Sequence, residues 1–154
     1  MHTSVFAGKL AIVIDDFGCI ARTRKSGFWR CRQTSPVAVL LTRRTRAKWQ
    51  LKRTIAGMVL IHLPMAPLSK QPLEKDTLRP DMSSDEIGAL SAGGKQRAAY
   101  AVGLNNHMGS AMTSSLFGMQ KVMQALEHCN LYFLDSMTIG NSRAMRAASA
   151  RCRK

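Results

Sequence analysis

Two adjacent carboxylates, Asp15 and Asp16, follow the apolar run Leu10–Ile14, and two histidines, His62 and His107, stand at the ends of similar runs. Neighbouring carboxylates permit a division of labour, in which one ligates a hard or borderline metal while the other serves as a general base. Successive side chains of an extended chain point to opposite sides, so the two cannot easily hold the same ion. An Asp-Asp pair also serves simply to cap a strand, and a histidine beside Leu63 and Pro64 is often a satisfied core residue. Taken together, Asp16, His62 and His107 supply one carboxylate and two imidazoles. Such a set leaves a coordination position open for water, as in catalytic rather than structural zinc sites. Asp135 and Ser136, after a further apolar run, suit substrate binding, the orientation of a ligand, or a strand-end cap. Asn105 and Asn106 suit sugar hydroxyls or a chain reversal, and the reversal is preferred. His2 and His128 receive no role. Cys19, Cys31, Cys129 and Cys152 form no CxxC pair, and neither a Gly-rich phosphate loop nor a nucleophile elbow is present.

The candidate groups need elements that carry them to one place. Leu10–Ile14, Met58–Ile61, Tyr100–Leu104 and Leu131–Leu134 are short apolar runs, each followed by polar residues. Their length fits buried parallel strands rather than helices. Ser83 and Glu86 have capping-box spacing and predict a helix start. Thr113 or Ser114 is the expected cap of a second helix, with an apolar stripe of Leu116, Met119, Met123 and Leu126 and a stop at Asn130. Strand and helix in alternation predict an α/β fold with a parallel sheet, whose reactive groups gather at the carboxyl ends of the strands.

The formal net charge of +14 first suggests a polyanionic partner. It is confined, however. Residues 19–53 hold 11 basic and no acidic side chains, and the stretches 88–98 and 147–154 add five more basic ones. The rest of the chain carries 7 basic and 9 acidic residues and is therefore slightly acidic. Residues 19–35 show no helical or alternating period, residues 43–53 suit a basic helix whose apolar face is only Trp49 and Leu51, and Gly88, Gly93 and Gly94 oppose a helix over 88–98. Arg, Cys, Trp and Gly mixed without period resemble an unintended reading frame. The rival reading, a nucleic-acid-binding protein built on residues 19–53, lacks a helix-turn-helix pattern or stacking platforms. No apolar run approaches the ~18 residues of a membrane span.

Three segments together are similar to the divergent polysaccharide deacetylase family, a distant branch of the metal-dependent polysaccharide deacetylases. They are KLAIVIDDFG at 9–18, VLIHLPMAPLSKQPLEKDTLRPDMSSDEI at 59–87, and the segment from YAVGLNNHMGSAMT at 100–113 to LYFLDSMTIGNSRAMRAA at 131–148. The resemblance implies an incomplete (β/α) barrel covering roughly its first half to two thirds, as a single domain over 1–154 in which 19–55, 88–98 and 147–154 do not match. It implies that Asp15 is the catalytic base and that Asp16, His62 and His107 bind a divalent metal, most naturally zinc. It places Asp135 and Asn106 near a polysaccharide substrate, with no nucleic acid and no membrane span involved. The superfamily's two histidines sit close together in one motif, whereas these are 45 residues apart. The implied reaction is hydrolysis of acetyl groups from N-acetylated sugars; a non-catalytic glycan-binding barrel is the other alternative. The late histidine that usually serves as general acid has no counterpart after residue 128. The match breaks at each basic stretch, and the expected picture is a truncated, frame-disturbed chain of little activity. Val5-Phe6-Ala7 resembles the end of a signal peptide, which implies a periplasmic setting by family resemblance and a cytoplasmic one if the leader is lost.

Overall fold

The computed structural model describes residues 10–17, 37–40 and 59–151. The elements in chain order are β1 (Ile14–Phe17), β2 (Val37–Leu40), β3 (Val59–Met65), α1 (Ser84–Arg97), β4 (Ala101–Met108), α2 (Ser110–Ser114), α3 (Leu116–His128), β5 (Tyr132–Leu134) and α4 (Ala144–Ser149). All strand pairs are parallel and the sheet order is β1-β2-β3-β4-β5, so chain order and spatial order coincide. The α/β class with a parallel sheet is as expected from the sequence. Most of the basic stretch 19–55, the Val5–Ala7 motif and residues 152–154 lie outside the described residues.

The two faces of the sheet have different work. On one face Ile61, Leu63, Met65 and Leu104 form a core with Ile87 of α1, with Met119, Val122 and Leu126 of α3, and with Ala144 and Ala147 of α4. On the other, Ala38, Leu40, Leu60, His62 and Asn105 are buried beside one another, joined by the register pairs Ala38–Leu60, Leu40–His62 and His62–Asn105. That second face carries the candidate chemistry.

Several expectations shift by a few residues. The run Leu10–Ile14 does not form a buried strand as a whole: Leu10 and Ile12 are exposed, and β1 begins only at Ile14 and includes both aspartates. Asn105, Asn106 and His107 lie within β4 rather than in a turn after it. β2 is an apolar strand inside the basic block, which the four expected strands omit. The second expected helix is two: α2, and then α3, whose cap is Ser115 rather than Thr113 or Ser114, its side chain accepting from Gly118 N.

The clearest correction concerns 88–98, expected to lack a helix and found to be the body of α1. Two causes outweigh its glycines. The capping box forms as spaced, with Ser83 Oγ accepting from Glu86 N and the Glu86 carboxylate accepting from Ser83 N at 2.8 Å. Gly94 then lets the helix lie against β3, since a Cβ there would stand 3.2 Å from Ile61 Cγ2. Glycine's cost in helix propensity, about 1 kcal/mol per residue, is offset by packing that a larger side chain would obstruct.

The bonds from the Ser83 backbone and hydroxyl hold the Glu86 carboxyl below its ordinary range. A depressed value makes this stabilisation present above the unfolded pKa and lost as the pH falls through the folded one. Ser83→Ala is expected to lower stability by about 1 kcal/mol and to reduce its loss on acidification below pH ~4.5. Met119→Ala, at a fully buried core position, is expected to cost about 2–5 kcal/mol. Urea unfolding at neutral and acidic pH checks both.

Candidate metal centre

The parallel pairing of β3 with β4 sets His62 directly beside Asn105, with His107 two residues further along the same face of β4. β1 brings the aspartates to that face. Asp16 Oδ1 lies 3.3 Å from His62 Nε2 and 3.1 Å from His107 Nδ1, and the two ring nitrogens are 3.2 Å apart. The rings meet edge to face with centroids 5.0 Å apart. His62 is 3% exposed, His107 23% and Asp16 58%, so the triangle is closed on the strand side and open toward solvent.

Adjacent residues of a strand should face opposite ways, yet Asp15 also reaches this face. Its Oδ1 accepts from Asn105 Nδ2 at 2.9 Å, beside the residue that meets Asp16. The reason is local. Asp16 has φ of 55°, in the left-handed region, and the register of β1 against β2 shifts between Ile14 and Phe17. A left-handed residue interrupts the alternation of an extended chain, and aspartate is among the few residues that tolerate it.

The donor set suits a cation. Bonds of about 2.1 Å give ligand-to-ligand edges of about 3.0 Å in an octahedron and about 3.4 Å in a tetrahedron. The observed 3.1–3.3 Å lies between them. Three acceptor atoms this close repel one another unless a proton or a metal ion sits among them. Asp16, His62 and His107 thus form a possible three-residue metal site, and carboxylate plus imidazole is a donor set that accepts zinc and other divalent ions.

The surroundings hold further groups. The loop after β3 is pinned by Leu78, whose N donates to Pro64 O and whose O accepts from Ala66 N, each at 2.8 Å. That loop carries Glu74, whose Oε1 is 3.8 Å from His107 Nε2. Nothing in the sequence marks Glu74, because its loop shows no period. Asn105, read as a turn residue, instead bonds His62, Asp15 and Ser136. Its signal was available in its spacing of two from His107 on a strand. Asn106 is buried, its Oδ1 accepting from Ser136 N and its Nδ2 donating to Met108 O. Asp135 is not drawn into the triangle: its carboxylate accepts from Met137 N at 2.9 Å and from Ser142 Oγ at 2.5 Å. It lines an open, mainly apolar cavity of about 780 Å³ between β5, α3 and α4.

The model of the family described as "Divergent polysaccharide deacetylase" matches residues 12–152, a span that includes β2 and α1. The Escherichia coli (strain K12) uncharacterized protein YibQ is 59% identical over 149 residues, covering 96% of this chain and 46% of that protein. An uncharacterized Haemophilus influenzae protein is 37% identical over 140 residues, covering 91% of this chain and 50% of that one. The chain therefore spans about half the length of the curated relatives it matches. The crystal structure of the uncharacterized protein ATU2773 from Agrobacterium tumefaciens C58 superposes with a TM-score of 0.65, covering 91% of this chain and 58% of that one; at 17% identity it bears on the fold alone.

Zinc titration of the purified chain is expected to give one site per molecule. His62→Ala and His107→Ala are each expected to weaken it by more than the 10–100-fold typical of losing an outer partner of a ligand. Asp135→Ala is expected to leave zinc affinity unchanged.

Proposed function

The chain belongs to the divergent polysaccharide deacetylase family, and from that premise we propose that its site hydrolyses acetyl groups on an N-acetylated polysaccharide with the help of a divalent metal, zinc first. The observation that supports this most directly is the meeting of Asp16, His62 and His107 at one point with Asp15 beside them. Asp16 Oδ1, His62 Nε2 and His107 Nδ1 are the atoms we assign to the metal. When bound, such an ion polarises a carbonyl and makes water acidic enough to act as a nucleophile near neutral pH.

In this reading Asp15 is the general base. Its Oδ1 is held by Asn105, and to its Oδ2 we assign the proton taken from the attacking water. As water adds to the acetyl carbon, the C–N bond breaks, acetate leaves, and the amine nitrogen needs a proton. The proton gained by Asp15 is the one we assign to that step. The exposed flank of Asp16 gives a long, flexible sugar chain access to the triangle. Asn106 enters the reading as a buried support for Ser136, and Asp135 as a polar group in the lining of the neighbouring cavity. The strand order, sequential and parallel, is consistent with the opening strands of a (β/α) barrel. No helix among the described residues is long and apolar enough to cross a membrane. We place the protein in the periplasm, where such polysaccharides lie.

The test is acetate release from N-acetylated oligosaccharides. Release should require zinc, disappear with a chelator and return when zinc is restored. Asp15→Asn should lower kcat by about 10²–10⁴-fold while zinc binding persists. Stoichiometric zinc binding and glycan binding without acetate release would overturn the reading and identify a glycan-binding member of the family.

A further inference from the structure

Asn105 is buried to within 1% exposure, and its side-chain amide meets three neighbours from three different strands or strand ends. Its Oδ1 is 2.9 Å from His62 Nδ1, and its Nδ2 is 2.9 Å from Asp15 Oδ1 and 3.2 Å from Ser136 Oγ. These contacts decide where the hydrogens lie. An ionised carboxylate accepts and does not donate, so the atom facing Asp15 must be the NH₂ group. The amide oxygen then faces His62, and because it too only accepts, His62 must carry its hydrogen on Nδ1. The lone pair of His62 is left on Nε2, the atom that faces Asp16 and His107.

The opposite orientation of the amide has a definite cost. It would set the Asn105 oxygen against the Asp15 carboxylate at 2.9 Å, two acceptors with no hydrogen between them. It would also make His62 Nδ1 an acceptor and drive the hydrogen to Nε2, into the triangle where a cation would sit. A single amide therefore separates a ring that can bind metal from one that cannot.

We propose that Asn105 is the positioning residue of this centre, selecting the metal-binding tautomer of His62 and anchoring Asp15 beside it. The proposal rests on the metal reading given above, and its outcome can be separated from it because the tautomer is measurable without metal. The Ser136 hydroxyl takes the second amide hydrogen and passes its own to Asn106 O at 2.9 Å, which completes the bonding of the amide nitrogen. The arrangement resembles the general pattern in which a ligating imidazole donates its other N–H to a polar partner. Here the partner is an amide rather than a carboxylate, and one of the amide hydrogens reaches the proposed base while the other goes to Ser136. A carboxylate at position 105 could satisfy His62 but would repel Asp15.

Long-range ¹H–¹⁵N correlation spectra of the metal-free chain read the His62 tautomer, and zinc competition titration reads affinity. In the natural chain His62 should be the Nδ1–H form; an Nε2–H form overturns the proposal. Asn105→Leu should mix the tautomers and weaken zinc binding by about 10–100-fold. A folded Asn105→Leu chain with the natural tautomer and natural affinity also overturns it. Asn105→Asp keeps the acceptor for His62, so it should restore the Nδ1–H form and most of the affinity even if the leucine variant fails to fold. Loss of the Nδ1–H form in a folded Asn105→Asp chain counts against the proposal as well. If the natural chain shows the Nδ1–H form yet binds no zinc, the metal reading fails and the tautomer assignment stands.

Discussion

The register between β3 and β4 is the constraint on which the candidate site depends. Seven parallel pairs, from Val59–Ala101 to Met65–Met108, fix which residue of one strand lies beside which residue of the other. Because side chains alternate, a slip of one residue would send His62 into the helix-covered core and bring Ile61 or Leu63 to the polar face. The slip is opposed from both sides. Ile61, Leu63 and Met65 are buried against α1 and α3, while His62 and Asn105 are bonded to each other on the opposite face. Core packing and polar chemistry are thus satisfied by one alignment and by no neighbouring one.

The helices serve that alignment. α1 approaches β3 closely through Gly94, and α3 lays Met119, Val122 and Leu126 on the same layer. Gly109, with φ of 100°, turns the chain directly after β4 into α2. There Ala111 N and Met112 N both donate to Ala66 O. Ala66, one residue beyond β3, is consequently tied to the start of α2, which follows β4.

Much of this was legible in the residues. The ends of the apolar runs drew attention to Asp15, Asp16, His62 and His107, yet β3 continues three residues past His62 and β4 one past His107, so the two histidines lie within their strands rather than at the carboxyl tips. Ser83 and Glu86 marked a helix start through a spacing that has a direct bonding meaning. What escaped depended on distant partners. The glycines of 88–98 read as helix breakers because propensity is local, whereas the contact of Gly94 with Ile61 is not. β2 is four residues long in a basic surrounding, and only its two neighbouring strands give it a place. The joint orientation of Asp15 and Asp16 was read from an extended backbone, and one left-handed residue reversed it. Glu74 and Asn105 gain their meaning from atoms 33 and 43 residues away, His107 and His62, that only the fold brings near.

The backbone at Asp16 also bears on how such a site would decay over generations. His62 and His107 sit in paired strand positions, where many residues are conformationally acceptable once the chemistry is no longer selected. Position 16 is filtered twice, by charge and by a left-handed φ that few side chains enter without strain. A lineage relieved of metal binding would be free to replace the histidines first and widely. At position 16 it would be channelled toward asparagine or glycine, which keep the bend and discard the charge. The bend would therefore outlast the chemistry, and a left-handed residue after Asp15 would remain as the trace of a site already lost.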